Sequence, residues 1–261
     1  MILQEIAEYA TLRVLEDKKN CNLETIKARA LNMPKGNFAF ENALANTKNA
    51  VIAEVKKASP SKGIISADFP YLAIAKEYEN GGATCMSVLT EPKWFMGSDE
   101  IFAEIRKEVS LPIIRKDFTV DEYQLYQAKV MGADCVLLIC ALLSQTKLED
   151  YLAICNTLGL SALVETHNED EIAMAVKAGA KIIGVNNRNL HDFTVDIGNA
   201  SSLKKSIPEN VIFVAESGIQ SIEDAHELLK NGANALLIGE TLMRCNDKKA
   251  FLREISEFCH D

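Results

Sequence analysis

One cadence recurs along this chain. A helix-length segment closes on glycine, alanine usually follows, and an apolar run of strand length begins. Gly82-Ala83 leads to CMSVLTE, Gly132-Ala133 to CVLLIC, Gly179-Ala180 to IIGVNNR and Gly232-Ala233 to LLIGE. A looser version places Gly159 before SALVET. Glycine is the residue that most readily caps a helix C-terminus. Three further apolar runs lack the Gly-Ala lead: VIAEV from Val51, Leu111–Lys116 and Val211–Glu216. Together these make eight strands, each separated from the next by a segment long enough for a helix. Near-continuously apolar strands alternating with helices imply a parallel sheet covered on both faces. Eight such units in about 200 residues fit a closed (β/α)8 TIM barrel. A doubly wound open sheet is the alternative, but it needs a topological switch point and usually has fewer strands.

The whole chain, 1–261, reads as one barrel domain, with 1–48 as an N-terminal helical extension packed on it. Ile2–Asp17 has apolar residues at helical spacing, and a second helix starts near Leu23. Met33-Pro34-Lys35-Gly36-Asn37 is a break, and Phe38, Phe40 and Leu44 form a short amphipathic piece before the first strand. The extension carries too little apolar residue to fold alone. The formal net charge of −9 argues against a nucleic-acid partner or a membrane surface, both of which favour a basic face. No apolar run reaches the roughly 18 residues of a membrane span, and the N-terminus lacks the pattern of a signal peptide, so a cytoplasmic protein is expected. The seven cysteines include no CxxC pair. Cys85, Cys135 and Cys140 lie in apolar runs, as small buried side chains of a reducing compartment do. The histidines, His167, His191, His226 and His260, show no metal-ligand spacing, and no metal is expected.

In a parallel barrel the C-terminal ends of the strands converge on one mouth. In chain order those ends carry Glu54 and Lys56, Thr90 and Glu91, Lys116 with Asp117 and Phe118, Glu165, Asn186 with Arg188, Glu216-Ser217-Gly218, and Gly239-Glu240. The strand starts carry no comparable set. Glu54 and Lys56 are two apart and so share a side of their strand. Burying such charges is costly unless they are paired or used. An ordinary salt bridge would explain one such pair, but charges of both signs around a whole rim point to an active site. Beyond Lys56, Ser59-Pro60-Ser61-Lys62-Gly63 reads as a hydroxyl-rich turn leading to a helix. After the seventh and eighth strands, Ser217-Gly218 and Gly239-Glu240 open toward helix starts, Ser221 to Asp224 having a capping pattern. Glycines there let backbone N–H groups approach a ligand, and helix N-termini favour anions. This is the usual phosphate position of such barrels, so a small phosphorylated substrate is expected.

The runs EVKKASPSKG, SVLTEPKWFMGS, IIRKDF, LVETHNEDE, IIGVNNRNL, VAESGI and LIGETLM resemble, in order and over nearly the whole chain, the motifs of the indole-3-glycerol-phosphate synthases of tryptophan biosynthesis. The N-terminal extension is also similar to that family's, and no fused isomerase domain is expected. The resemblance implies cyclisation of 1-(2-carboxyphenylamino)-1-deoxyribulose 5-phosphate to indole-3-glycerol phosphate with loss of CO2 and water, without cofactor or metal. It places the general acid on Lys116 and the acid/base carboxylate of dehydration on Glu165. Lys56 would bind charged substrate groups and supply a proton in dehydration. Glu54 would orient lysines and hydroxyls, and Glu216 and Asn186 would hold the sugar and the forming intermediate. Arg188 matches a family arginine on the rim. Phosphate would rest on Ser59, Ser217, Gly218, Gly239 and Glu240, and the anthranilate ring on Phe95 and Phe118.

Some assignments stay open at this level. Trp94 could replace Phe95, either lysine could serve either proton transfer, and the side chain of Glu240 sits badly beside phosphate. His167 offers a base, but a capping or surface place suits it as well. Asp117 could point outward to a helix partner. A Schiff-base aldolase or a non-catalytic barrel that binds a phosphorylated ligand are the alternative functions. A monomer is expected.

Overall fold

The structure, a computed structural model, describes residues 2–189 and 193–259. The helices α1 (Ile2–Asn20), α2 (Leu23–Asn32) and α3 (Ala39–Ala45) precede a closed barrel of parallel strands. The strands are β1 (Ala50–Val55), β2 (Cys85–Leu89), β3 (Ile113–Lys116), β4 (Cys135–Ile139), β5 (Ser161–Thr166), β6 (Ile182–Asn186), β7 (Ile212–Glu216) and β8 (Ala235–Ile238). Each pairs with the next, and β8 returns to β1 through Ala53↔Ile238. The ring has no free edge, so the open doubly wound sheet is ruled out. Between the strands run α4 (Tyr71–Asn80), α5 (Asp99–Glu108), α6 (Tyr123–Met131), α7 (Gln145–Leu158), α8 (Glu169–Lys177), α9 (Gly198–Leu203) and α10 (Ile222–Lys230); α11 (Glu240–Arg244) and α12 (Lys248–Ser256) follow β8. No helix among the described residues is long and apolar enough to cross a membrane.

Strand side chains alternate between faces, and the pleat sorts the chemistry. In β1, Ala50 and Ile52 join the barrel interior, while Val51, Ala53 and Val55 join the layer under the helices. Interior positions of other strands are filled by Cys85, Ile114, Cys135, Leu137, Leu163, Ile182, Val214 and Leu237. Continuing the same phase toward the strand ends brings Glu54, Lys116, Glu165, Asn186 and Glu216 inward. The reactive side chains are thus the top layer of a stack whose lower layers are apolar.

The extension touches both ends of the barrel. At the base, Phe40 and Leu44 of α3 are buried in the interior cluster and close its floor. The linker ahead of them is pinned where the Gly36 N–H donates to the Leu158 carbonyl (2.9 Å) and the Phe38 N–H to that of Gly159 (3.2 Å). This contact explains the looser repeat at Gly159. The residue caps α7 at φ +68°, and it also meets Gly36 so closely that any Cβ would strike the linker backbone. At the mouth, Arg13 of α1 forks onto both oxygens of Asp117 at 3.1 and 2.6 Å, and Tyr9 meets Trp94 edge-on with ring centroids 5.6 Å apart.

Candidate active site

The stretch after β1 is not a plain turn. Ala58–Ser59 pairs antiparallel with Gly63–Ile64 in a small hairpin, and α4 starts only at Tyr71. The hairpin holds Ser59 nearly buried at the rim of a cavity of about 840 Å³ that fills the barrel mouth. Glu54, Lys56, Ser59, Phe95, Lys116, Phe118, Glu165, Asn186, Arg188, Glu216, Ser217, Gly218, Gly239 and Glu240 all line it.

Glu54 is the hub. It is 3% exposed; its Oε1 lies 2.6 Å from Lys56 Nζ, and its Oε2 accepts from the Ser87 hydroxyl at 3.1 Å and lies 3.7 Å from Lys116 Nζ. Burial alone would raise its pKa, but Lys56 and Lys116 overcome that and hold it below the usual carboxylate range. Lys116 Nζ donates to Glu216 Oε2 at 3.3 Å. Desolvation opposes the ammonium, yet Glu216, Glu54 and Glu165 together push its pKa above the ordinary lysine value. Lys116 is therefore a proton carrier that stays charged at neutral pH. Glu216 pays for this arrangement: fully desolvated and close to Glu165 and Glu54, it is pushed up to about 7 despite Lys116. Room for its carboxyl exists because Gly184 carries no side chain; a Cβ there would collide with Glu216. On the strand next to Glu216, Asn186 donates through Nδ2 to Glu165 Oε1 at 3.2 Å.

The phosphate-side corner is built by loop geometry. Ser217 and Gly218 have φ of +65° and +84°, two successive left-handed residues that fold the chain after β7 back over the mouth. Gly239 precedes the first turn of α11, whose leading N–H groups have no carbonyl one turn earlier to bond. A Cβ at Gly239 would run into Glu54 and Lys56. The Glu240 carboxylate is drawn to Arg244 Nε (3.1 Å) one turn along, with Lys62 at 4.0 Å, leaving the loop backbone to face a ligand. Arg188 donates from its guanidinium to the Phe193 carbonyl at 3.3 Å, and from its backbone N–H to Asn186 Oδ1 at 3.0 Å. The opposite wall is apolar. Phe95 and Phe118 lie with centroids 6.0 Å apart, and Ile2, Leu3 and Ile6 of α1 complete it. Trp94 turns away to Tyr9, with the Lys93 ammonium 4.3 Å from its ring, so Phe95 is the aromatic residue of that pair that meets the cavity.

Two rim residues do other work. Glu91 is fully buried and accepts the backbone N–H groups of Lys93 (3.0 Å), Trp94 (2.7 Å) and Phe95 (3.0 Å), fixing the loop that carries Phe95. Asp117 does have a helix partner, and the helix is α1; Thr90 also donates to it at 2.7 Å. Sequence reasoning missed Asn187, which is 3% exposed. It donates to the Ser217 carbonyl (3.1 Å) and accepts from the Ala200 N–H (2.9 Å), tying the loops after β6 and β7 together. It also missed the α1 contribution. The signal for Asn187 was a second amide directly after Asn186; nothing local marks Ile2, Leu3 or Ile6 as cavity residues. Among the described residues, no group of three or more His, Cys, Asp or Glu side chains is arranged to hold a metal.

The arrangement sets two ammonium donors among carboxylates, opposite an apolar aromatic slot and beside an anion cradle. It suits proton transfers on a phosphorylated substrate with an aromatic end. Residues 3–255 match the family model described as indole-3-glycerol phosphate synthase. Proteins of that name from Ruminiclostridium cellulolyticum and Endomicrobium trichonymphae are 50% and 49% identical, the alignments covering 98% of this chain and 98% and 100% of theirs. Solved structures share the fold at low identity. A thiamine phosphate pyrophosphorylase from Pyrococcus furiosus aligns with TM-score 0.61 at 19% identity, over 84% of this chain and 98% of its own. An N-acetylmannosamine-6-phosphate 2-epimerase from Clostridium perfringens gives 0.62 at 16%, over 77% and 90%.

Proposed function

The chain belongs to the indole-3-glycerol phosphate synthase family, and from that membership we propose which of its residues carry the reaction. The enzyme is a carboxy-lyase of tryptophan biosynthesis and takes a small phosphorylated substrate. That substrate is 1-(2-carboxyphenylamino)-1-deoxyribulose 5-phosphate, and indole-3-glycerol phosphate, CO2 and water leave. Phosphate rests on Ser59, Ser217, Gly218, Gly239 and the Glu240 backbone, with the ring between Phe95 and Phe118. This two-point hold brings the carboxylated ring carbon to the ketone, where positioning supplies much of the rate. Lys116 gives its proton to the ketone oxygen as the ring carbon attacks. Loss of CO2 then restores aromaticity. Glu165, aimed by Asn186, takes the proton released in dehydration, and Lys56 protonates the departing hydroxyl. Arg188 faces the substrate's charged groups from the rim. Glu54 holds both lysines in place, and with Glu216 it keeps Lys116 charged.

The observation that carries this reading is Lys116 Nζ, held 3.3 Å from Glu216 and 3.7 Å from Glu54 at the floor of the cavity. An aldolase lysine must shed its proton to form a Schiff base, and this one is held in the opposite state. The same reading includes a cytoplasmic monomer without a nucleic-acid partner, the last supported by the net charge of −9. The test follows indole fluorescence on adding the substrate to purified protein, wild type beside Lys116→Ala. We expect kcat to fall by roughly 10²–10⁴ with little change in substrate affinity. A Lys116→Ala enzyme as fast as wild type would remove Lys116 from the chemistry. Covalent trapping by borohydride would favour the aldolase reading.

A further inference from the structure

His167 lies just past β5, two residues after Glu165, outside the set of residues that line the cavity. It is neither a simple cap nor a surface residue, since its side chain is only 16% exposed. Its backbone N–H donates to Glu171 Oε2 at 2.8 Å, and its ring Nδ1 lies 3.1 Å from the same oxygen. An ionised carboxylate only accepts, so Nδ1 carries the hydrogen. The other ring nitrogen, Nε2, is buried without a hydrogen bond and faces Glu165 Oε1 at 3.5 Å. With Nδ1 committed, Nε2 is a bare lone pair in the neutral ring and a donor in the charged one. A lone pair facing a carboxylate is repulsive; an N–H facing it is attractive.

We propose that His167, anchored by Glu171, is the positioning residue of Glu165: as an imidazolium it pairs with that carboxylate and keeps it aimed at the substrate. The inference rests on the role given to Glu165 above. Among the described residues, Lys56 pairs with Glu54, and Lys116 with Glu54 and Glu216, whereas the cation in ion-pair range of Glu165 is His167. Glu165 lines the cavity and His167 does not, so the imidazole meets the carboxylate from outside the substrate space.

The groups that face the imidazole agree with this. Glu165 comes from β5, Glu171 from α8 and Glu216, at longer range, from β7, and all three favour the proton. Burial opposes it, as does the N-terminus of α8, which starts just after Asn168. The carboxylates win, and the His167 pKa lies above the ordinary 6.5. Glu169 and Asp170 also stand in the first turn of α8, and two neutral groups lie nearby. Asn199 of α9 donates to the His167 carbonyl, and the thiol of Cys140, beyond β4, donates to the Glu171 carbonyl and is pushed up to about 12 by burial.

The test uses the full chain with 15N-labelled imidazoles, titrated by NMR, with His167→Gln assigning the signal. His167 should titrate above 6.5 with hydrogen on Nδ1 in its neutral form, and its midpoint should fall by about one unit in both Glu165→Gln and Glu171→Gln, the size of a lost neighbouring charge. In parallel, the acid limb of kcat should move up by about one unit in His167→Gln while the melting temperature holds. A midpoint at or below 6.5, or one indifferent to Glu165→Gln, overturns the inference, as does a His167→Gln enzyme with the wild-type pH profile. A fully active Glu165→Gln enzyme instead overturns the role of Glu165, and it is told apart because the NMR coupling persists.

Discussion

Replacing Glu54 with Gln keeps the shape of the hub and its bond from Ser87 while deleting its charge. Lys116 then loses a carboxylate 3.7 Å away, an interaction worth about 4–5 kcal/mol at an effective dielectric near 20, or about 3 pKa units. Glu216 remains at 3.3 Å, so the ammonium survives at neutral pH, but its titration drops from above the ordinary lysine value into the accessible alkaline range. Lys56 loses its partner at 2.6 Å as well, yet its side chain is 17% exposed and can turn to water. The fold should therefore lose about 3 kcal/mol, the lower end for breaking a buried pair, or about 6–12 °C in melting temperature. The assay is the pH dependence of kcat from about pH 6 to 11, by indole fluorescence, with thermal unfolding of the same samples. A new basic limb near about pH 10 in Glu54→Gln, absent from wild type, is the expected result. If activity in Glu54→Gln stays flat to about pH 11, Glu54 does not hold the proton on the lysine that acts, and the hub reasoning fails.

Gly239→Ala puts a methyl against Glu54 and Lys56 and crowds the phosphate corner, so KM should rise by about 10-fold or more with a smaller change in kcat; a pure kcat effect would count against the phosphate assignment. Glu91→Ala strips three N–H groups of their acceptor and frees the loop under Phe95, so KM for the substrate should rise while Lys116-dependent kcat falls less; an unchanged KM would show that the loop keeps its shape without the carboxylate. Glu216 is raised to about 7 from an ordinary 4.5, so the folded chain binds a proton the unfolded one releases, and the stabilisation is full below about 4.5 and lost as pH rises through 7. Glu216→Gln lacks that dependence, and its melting temperature relative to wild type should climb between about pH 5 and 7.5; a constant offset would mean Glu216 titrates normally.

The strand-end residues were legible in sequence for a definite reason. A parallel barrel strand is short, apolar and pleated, so any charge in its last inward position stands out, and Glu54, Lys116, Glu165 and Glu216 all did. Polarity alone could not separate use from support. Glu91 and Asp117 share the rim, yet one binds three N–H groups of its own loop and the other anchors α1 through Arg13. Those roles depend on where backbone donors and a helix 104 residues away come to lie. The cavity wall from Ile2, Leu3 and Ile6 escaped notice because their helical spacing says only that one face is buried, not against what. The hairpin at Ala58–Ile64 was hidden because its strands are two residues each, too short for any period.

The closure of β8 onto β1 has a consequence for how the molecule is made. Glu54 and Lys56 leave the ribosome early, and the glycine loop that packs on them leaves near the end. Until β8 is out, the growing sheet has open edges and the mouth lacks one side, while Arg13 waits for Asp117 and the floor helix α3 for its barrel. Folding of the ring and completion of the catalytic chamber are thus one event, and a nascent or truncated chain that has not reached Gly239 holds the reactive side chains without the reaction.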